Sequence, residues 1–171
     1  EIAKYTGVLE ARNFEMIKAD LEARGLGHLA RELMMASGAL QTQLYKEEME
    51  AALRTPDMAG VQLLGLQDFS GQGTALVGVV DAFWDEKPYV TPAQFREFCS
   101  PVVPLLRAES FILVEGESFC AGIQIAQFAH RPLPAGRVRW SLIDDNGATA
   151  REGSVSFEAL PTGGLHDIGA L

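Results

Sequence analysis

Two polar side chains that could bind a sugar stand at the end of an uncharged apolar run. Residues 60–69 read GVQLLGLQDF, and Gln67 and Asp68 close the run. A short run of this kind is typical of a parallel strand buried on both faces, and the carboxyl ends of such strands carry the active sites of α/β barrels. An amide and a carboxylate there could hydrogen-bond the hydroxyls of a sugar or another polyol. The alternative is structural, with Asp68 capping the next loop through the amides near Gly71.

A second group of candidates combines aromatic rings with carboxylates. Aromatic faces stack on the apolar faces of sugar rings, while neighbouring carboxylates hold hydroxyls. Among these residues Trp84 is the strongest candidate, and its alternative is a place in the core, because large aromatic side chains are often buried whatever their function. The group lies within one short stretch and comprises Asp81, Phe83, Trp84, Asp85, Glu86 and Tyr89.

Other chemistries find less support in the residues. The loop Ser70–Thr74 lacks the lysine of a phosphate-binding loop and the third glycine of a dinucleotide fingerprint. The three histidines lie far apart, and no Ser or Cys has a base beside it, so a catalytic triad is not indicated. Cys99 and Cys120 are too few for a zinc site, and we predict no metal and no cofactor. A disulfide between them is one interpretation; two buried free thiols is the favoured one.

Charge and hydropathy exclude two classes of partner. The net charge of −9, without a cluster of Lys and Arg, argues against nucleic acid and against an anionic membrane surface. No stretch is long and apolar enough to span a membrane. The chain starts at Glu1 without a signal peptide, which predicts a processed product or a piece of a longer protein.

Helices dominate the predicted elements up to residue 56, and one strand and one helix follow. Apolar side chains recur there at helical spacing. Residues 60–66 are the buried strand, and Thr91-Pro92-Ala93-Gln94 starts a helix that runs to about Cys99. Prolines then force an extended connector over 101–107. The predicted boundaries of the earlier helices are Asn13 and Gly25 for the first, Ser37 as the cap of the third, and Thr55-Pro56 at its end.

Short strands are predicted for the rest of the chain. Apolar and polar residues alternate over 137–142, and Asp145-Asn146-Gly147 is a hairpin turn because Asn-Gly tolerates positive φ. Strands separated by turns favour a sandwich of the immunoglobulin type, although only about five strands fit and such a sandwich needs roughly seven. The remaining predicted strands are 111–114, 119–128 and 154–157.

Taken in order, these parts resemble the end of the catalytic barrel of glycoside hydrolase family 2, as in its β-galactosidase-like relatives from gut bacteria. The resemblance is strongest over KEEMEAALRTP at 46–56 and over residues 60–107, with the loop SGQGTALVGVVDAFWD, the helix TPAQFREFCSP and the connector VVPLLR. It implies that 60–66 is the eighth barrel strand and that the helix from Pro92 is the eighth helix. The strands after residue 109 resemble the start of a C-terminal sandwich domain.

The resemblance also implies a reaction. The family hydrolyses β-linked sugars with retention, using one glutamate as acid/base and another as nucleophile. In the family one glutamate lies on the fourth strand and the other on the seventh, and this chain lacks both strands if it begins after the seventh. Glu1-Ile2 has no His before it and so does not match the motif of the nucleophile strand. The family places pocket residues at the end of the eighth strand. This implies substrate binding by Gln67, Asp68, Phe69 and, more weakly, Trp84.

We therefore predict an α/β portion of a TIM barrel over residues 1–107, followed by an all-β immunoglobulin-like sandwich, incomplete, over 109–171. The parent protein is expected to be a retaining β-glycosidase hydrolysing O-glycosyl bonds, and the chain alone to be inactive. The alternative is a non-catalytic carbohydrate-binding or domain-interaction module. Expected partners are carbohydrate, the remainder of the parent polypeptide and, through open sheet edges, further copies of the chain. The resemblance favours a periplasmic or extracellular location.

Overall fold

The computed structural model describes residues 1–8, 10–72 and 76–171. The chain divides into two compact units. We call residues 1–48 and 61–96 the N-terminal unit, and residues 49–60 and 97–171 the C-terminal unit. None of the described helices is long and apolar enough to cross a membrane.

Three α-helices are described, α1 (Arg12–Ala23), α2 (Ala30–Arg54) and α3 (Pro92–Arg96), with short 3-10 helices at Ile2–Lys4 and Gly27–Leu29. Gly25 ends α1 with a φ of 72°, as predicted, but the cap position is Ala11 and not Asn13. The predicted start of a helix at Ser37 is wrong. Its hydroxyl bonds the carbonyl of Met34 at 3.2 Å inside a continuous α2, a local bond that leaves the helix unbroken.

Helix α3 begins with the predicted capping box. The N–H of Thr91 bonds Oε1 of Gln94 at 2.9 Å, and the N–H of Gln94 bonds Oγ1 of Thr91 at 3.2 Å. Each side chain thereby satisfies one of the backbone donors that a helix start leaves open. The helix ends at Arg96, before the expected Cys99.

The C-terminal unit holds the five described strands, which form two sheets. Strands β1 (Val102–Ala108), β2 (Ala121–Gln127) and β5 (Gly164–Ala170) form one antiparallel sheet in the order β1-β2-β5. Strands β3 (Gly136–Ile143) and β4 (Thr149–Phe157) form the other, joined by the predicted turn, where Gly147 has a φ of 81°. Strand β5 was not expected, and the predicted strand 111–114 has no strand structure.

One apolar cluster lies on the three-stranded sheet. Val103 and Leu105 of β1 and Ala126 of β2 are buried together, with Leu53 of α2 and Leu165 of β5 packed against them. The expected connector 101–107 is thus a strand. Its Pro104 is tolerated because β1 is an edge strand, where one row of backbone N–H groups has no ladder partner to lose.

The predicted barrel portion is wrong. Residues 60–66 form no strand, and the parallel contact directly after them is a single bridge between Gln67 and Val80. A barrel strand needs a hydrogen-bonded neighbour on each side and helices over it. Here Leu64 is fully exposed and Val61 is half exposed. The described chain is therefore a helical part followed by antiparallel sheets, and its three plus two strands fall short of the roughly seven in an immunoglobulin-like sandwich.

The two cysteines are free thiols, and no disulfide joins them. Cys99 and Cys120 are both exposed, so the expectation that they are buried is wrong.

Candidate functional site

The candidate site is built in the N-terminal unit where two irregular segments lie side by side. The N–H of Asp68 bonds the carbonyl of Val80, and the N–H of Val80 bonds the carbonyl of Leu66, both at 3.1 Å. Gly78 makes this approach possible, because a Cβ there would collide with the backbone of Gln67 and Asp68. A side chain at residue 78 would therefore push the two segments apart.

The Asp68 carboxylate is buried, with 1% of the residue exposed. Its Oδ1 accepts the N–H of Gly78 at 2.7 Å and a hydrogen bond from Nζ of Lys87 at 2.8 Å. The structural role expected for Asp68 is thus performed through Gly78 and Lys87, which lie further along the chain than Gly71. Its Oδ2 is also buried and has no hydrogen-bond partner among the described residues.

Gln67 adds a second open acceptor. Its Oε1 is buried and lacks a partner in the described part of the chain. A buried acceptor left without a donor costs about 1–3 kcal/mol. Adjacent residues therefore carry two oxygens that each gain from a donor hydrogen, supplied by a ligand hydroxyl or by water.

Helix α2 supports this arrangement through Tyr89. The Tyr89 hydroxyl lies 2.8 Å from the carbonyl oxygen of Gly78 and 3.3 Å from Oε1 of Gln41, whose Nε2 bonds the carbonyl of Val77. Gly38 leaves room in α2 for the Tyr89 ring, which a Cβ would strike. Burial first, and then the Asp68 carboxylate, raises the pKa of Tyr89 to about 12. The hydroxyl therefore remains a donor at any physiological pH.

A rigid turn follows Val80 and carries Trp84. The Asp81 carboxylate is buried, and its Oδ1 accepts the N–H groups of Phe83 at 2.8 Å and Asp85 at 3.0 Å. Lys4 bonds Oδ2 of Asp81 and, at 2.6 Å, Oδ2 of Asp85. Burial acts to raise the pKa of Asp81, but the bond from Lys4 and the two backbone N–H groups outweigh it and lower the pKa.

Trp84 is held at the tip of this turn and is not a core residue. Its backbone has a φ of 69°, which is costly for a residue with a side chain, and 65% of the residue is exposed. Strain of this kind persists where the surroundings determine the conformation, and here the hydrogen bonds of Asp81 do so.

The N-terminal segment lies against the same turn. The Tyr5 ring packs edge-on against Phe83, with ring centroids 5.0 Å apart. The Glu1 carboxylate accepts long hydrogen bonds of 3.5 Å from the N–H of Ala82 and from the Tyr5 hydroxyl. Burial, followed by the charge of Asp68, raises the pKa of Glu1. Glu1 therefore belongs to the electrostatic surroundings of Asp68.

The structure brings together some of the predicted site residues. Gln67 and Asp68 carry the buried acceptors, and Phe69 beside them is 58% exposed. Among the described residues, no hydrogen bond or ring contact joins Trp84 to these three. Part of the predicted loop, residues 73–75, lies outside the described residues.

Sequence reasoning missed the residues that hold the site in place, namely Lys4, Gln41, Gly78, Lys87 and, in its actual role, Tyr89. One signal was available, because Lys87 is the single basic residue in the acidic stretch DAFWDEK. In the described residues no group of three His, Cys, Asp or Glu side chains is placed to hold a metal ion. The arrangement offers hydrogen-bond acceptors and exposed aromatic rings, which together suit a polyhydroxyl ligand.

Comparison with known proteins gives a match within the C-terminal unit. The family described as Domain of unknown function (DUF8488) matches residues 117–171, which include β2 to β5. A search among curated proteins finds no match to the chain. The candidate site lies outside the matched residues.

Proposed function

We propose that the chain is part of a retaining β-glycosidase, similar to the β-galactosidase-like members of glycoside hydrolase family 2, and that Gln67–Phe69 binds the sugar. The observation that carries the proposal is the pair of buried acceptors, Oδ2 of Asp68 and Oε1 of Gln67, beside the exposed ring of Phe69. The sequence resemblance over residues 46–56 and 60–107 supplies the reaction class.

Sugar binding would use each residue differently. Hydroxyl groups donate to Oε1 of Gln67 and Oδ2 of Asp68, and the Phe69 ring stacks on the apolar face of the sugar. Both oxygens lie below the surface, so a hydroxyl reaches them only when the side chains above move aside. Lys87 and Gly78 hold Oδ1 and leave Oδ2 for the ligand.

The chain binds sugar in this proposal and does not cleave it. Retention requires two carboxyl groups about 5–5.5 Å apart across the scissile bond. No residue of the chain matches the acid/base or the nucleophile of the family. The catalytic pair is then contributed by another part of the parent protein.

A carbohydrate-binding module without any catalytic role is the second candidate. The observation that favours it is Trp84, which is exposed at the tip of a turn that Asp81 and Lys4 hold rigid. An exposed ring on a rigid support is sufficient for stacking on a sugar. In this alternative affinity depends on Trp84 and not on the buried acceptors.

The two candidates separate in one titration. We would titrate the full chain with methyl β-galactoside by calorimetry, comparing the wild type with Gln67→Met, which removes the acceptor and keeps the length of the side chain. Gln43→Met, an exposed position in α2, is the matched control. The proposal predicts saturable binding that Gln67→Met weakens at least about tenfold, equal to about 1.4 kcal/mol, and that Gln43→Met leaves unchanged.

Other outcomes contradict the proposal at different points. Binding lost in Trp84→Ala but retained in Gln67→Met would favour the non-catalytic module. Absence of binding by the wild type would refute sugar recognition at this site. Release of the aryl group from an aryl β-galactoside, abolished by replacing one of the chain's own carboxylates, would refute the statement that the chain does not cleave sugar.

A further inference from the structure

The C-terminal unit exposes four consecutive apolar side chains between β1 and β2. The exposed fractions of Phe111, Ile112, Leu113 and Val114 are 59%, 86%, 43% and 67%. Single exposed apolar residues are ordinary, but a run of four on one segment marks an interaction surface. No part of the proposed sugar site lies here.

The exposed fractions alternate along the run as they do in a strand. Phe111 and Leu113 are the less exposed pair, and the Phe111 ring lies 6.1 Å from that of Phe119, centroid to centroid. Ile112 and Val114 are the more exposed pair. In an extended chain such alternation assigns the two pairs to opposite faces, so the face with Ile112 and Val114 is the open one.

Some backbone N–H and C=O groups of the run are available for hydrogen bonds to another strand. The Ser110 hydroxyl accepts a hydrogen bond from the N–H of Ile112 and donates one to the carbonyl of Ile112. Oε2 of Glu117 accepts the N–H of Val114 at 3.0 Å. Within the described ranges, Phe111 and Leu113 have no such local bond and no ladder partner. In an extended chain alternate residues point their N–H and C=O groups to the same edge. The N–H and C=O of Ile112 share the Ser110 hydroxyl on one edge, which assigns the groups of Phe111 and Leu113 to the opposite edge, where a strand could add.

The charges around the run select the partner. Three exposed carboxylates flank it, Glu109 on one side and Glu115 and Glu117 on the other. If two copies paired antiparallel about the centre of the run, Glu109 of one would face Gly116 of the other, between Glu115 and Glu117. Like charges so placed are destabilising, and each copy carries a net charge of −9. The flanks therefore favour a partner with basic ends.

We propose that residues 111–114 are a docking edge for an extended protein segment whose apolar side chains alternate and whose ends carry Lys or Arg. The segment adds a strand along Phe111 and Leu113 and covers Ile112 and Val114 with its own apolar side chains. Its basic ends pair with Glu109, Glu115 and Glu117, which favours this segment over a second copy of the chain.

The test uses a labelled synthetic peptide, Lys-Lys-Val-Thr-Val-Thr-Val-Thr-Lys-Lys, and its counterpart with Glu in place of every Lys. Fluorescence anisotropy with the full chain should show saturable binding of the basic peptide, at least about tenfold tighter than the acidic one. The difference should shrink near 0.5 M salt, where the screening length falls to about 4 Å. Ile112→Ser should weaken the basic peptide at least about tenfold, and Leu64→Ser, at a fully exposed position, should not.

Three results would overturn the proposal. The basic peptide could fail to bind, it could bind no better than the acidic one, or its binding could survive Ile112→Ser. Sedimentation of the peptide-free chain provides the remaining check. A dimer that Ile112→Ser dissociates would identify a second copy as the occupant, whereas a monomer agrees with the proposal.

Discussion

Seven residue pairs join β1 to β2 without interruption in the C-terminal unit, whereas segments 66–68 and 78–80 of the N-terminal unit share a single bridge. The sheet buries apolar side chains, with Val103, Leu105 and Ala126 at its centre. The loops bury carboxylates, Asp68 and Asp81, and bind them with Lys87, Lys4 and backbone N–H groups, while Oδ2 of Asp68 stays open. The sheet buries apolar side chains together with Gln124 and Gln127 of β2, whereas the loops bury carboxylates held by individual polar contacts.

Single substitutions should destabilise the two units in different ways. A ladder distributes its stability over many equivalent contacts, and an apolar core loses stability in proportion to the volume removed. A buried carboxylate depends on one or two partners, and loss of a partner leaves a charge without compensation. The residues proposed for binding are in the second kind of structure, where two open acceptors are adjacent, whereas β2 carries a single one, Oε1 of Gln124.

The largest expected effect is that of Lys87→Met. It leaves the fully buried Asp68 carboxylate without its cation, and breaking a buried pair in this way costs about 3–5 kcal/mol. Hydrogen exchange should show faster opening at the amides of Asp68 and Val80. Lys87→Arg, which keeps the charge, should recover most of the loss. Equal exchange in the wild type and Lys87→Met would mean that the ion pair does not support the site.

The corresponding change in the sheet is Leu105→Ala. Leu105 is buried in the apolar cluster, so its truncation should cost about 3 kcal/mol through lost burial and the cavity that remains. Exchange should accelerate in β1 and β2 and not at Asp68 or Val80, because the two sets of contacts belong to separate compact units. Acceleration at Asp68 as large as in β1 would contradict the distinction between the two units.

Substitution of two glycines by alanine should have different effects on stability, because one glycine lies against neighbouring backbone and the other does not. Gly78→Ala places a Cβ into the backbone of Gln67 and Asp68 and should cost about 2 kcal/mol. Gly122→Ala in β2 places a Cβ 3.8 Å from Arg107, an ordinary contact, and should be nearly neutral. Chemical denaturation of both variants provides the measurement. A Gly78→Ala protein as stable as Gly122→Ala would show that the two segments are not in close contact.

The smallest effect is the pH dependence of Asp81. Its pKa in the folded chain lies below the ordinary value of 3.8, so its stabilisation is complete above about pH 4 and is lost as the pH falls through the lower folded pKa. Asp81→Asn lacks this contribution. Its melting temperature should lie a few degrees below that of the wild type at pH 6, and the gap should close as the pH falls below the folded pKa of Asp81. Asp145→Asn, in the β3–β4 turn, serves as the control, and a gap independent of pH would refute the assignment.

Local signals predicted what local contacts determine. The capping box of Thr91 and Gln94, the glycine end of α1 and the Asn146-Gly147 hairpin each depend on residues within a few positions, and each is confirmed. The prediction of a barrel strand over the apolar run 60–66 is wrong, because a strand requires hydrogen-bonded neighbouring strands and the sequence of the run does not specify them. β1 was predicted only as an extended connector because Pro104 marks a break unless the strand is at an edge.

The candidate site was predictable only in part. Gln67 and Asp68 are predicted because they end an apolar run, Phe69 through the family resemblance, and Trp84 because aromatic and acidic residues surround it. Their supports could not be found in the same way. Lys87 lies 19 residues from Asp68, Lys4 lies 77 residues from Asp81, and Tyr89 lies 48 residues from Gln41. Contacts at such separations follow from the folded chain and leave no periodic pattern in the sequence.

Sugar binding at Gln67–Phe69 in the N-terminal unit is the main proposal. Titrating the isotope-labelled full chain with methyl β-galactoside and following its amide and indole resonances tests this most directly. We expect saturable shifts at residues 66–69 and 78–87, including Gly78 and Lys87, with β1 to β5 unchanged. Shifts confined to the β3–β4 hairpin around Trp140, or no shifts at any sugar concentration, would contradict it.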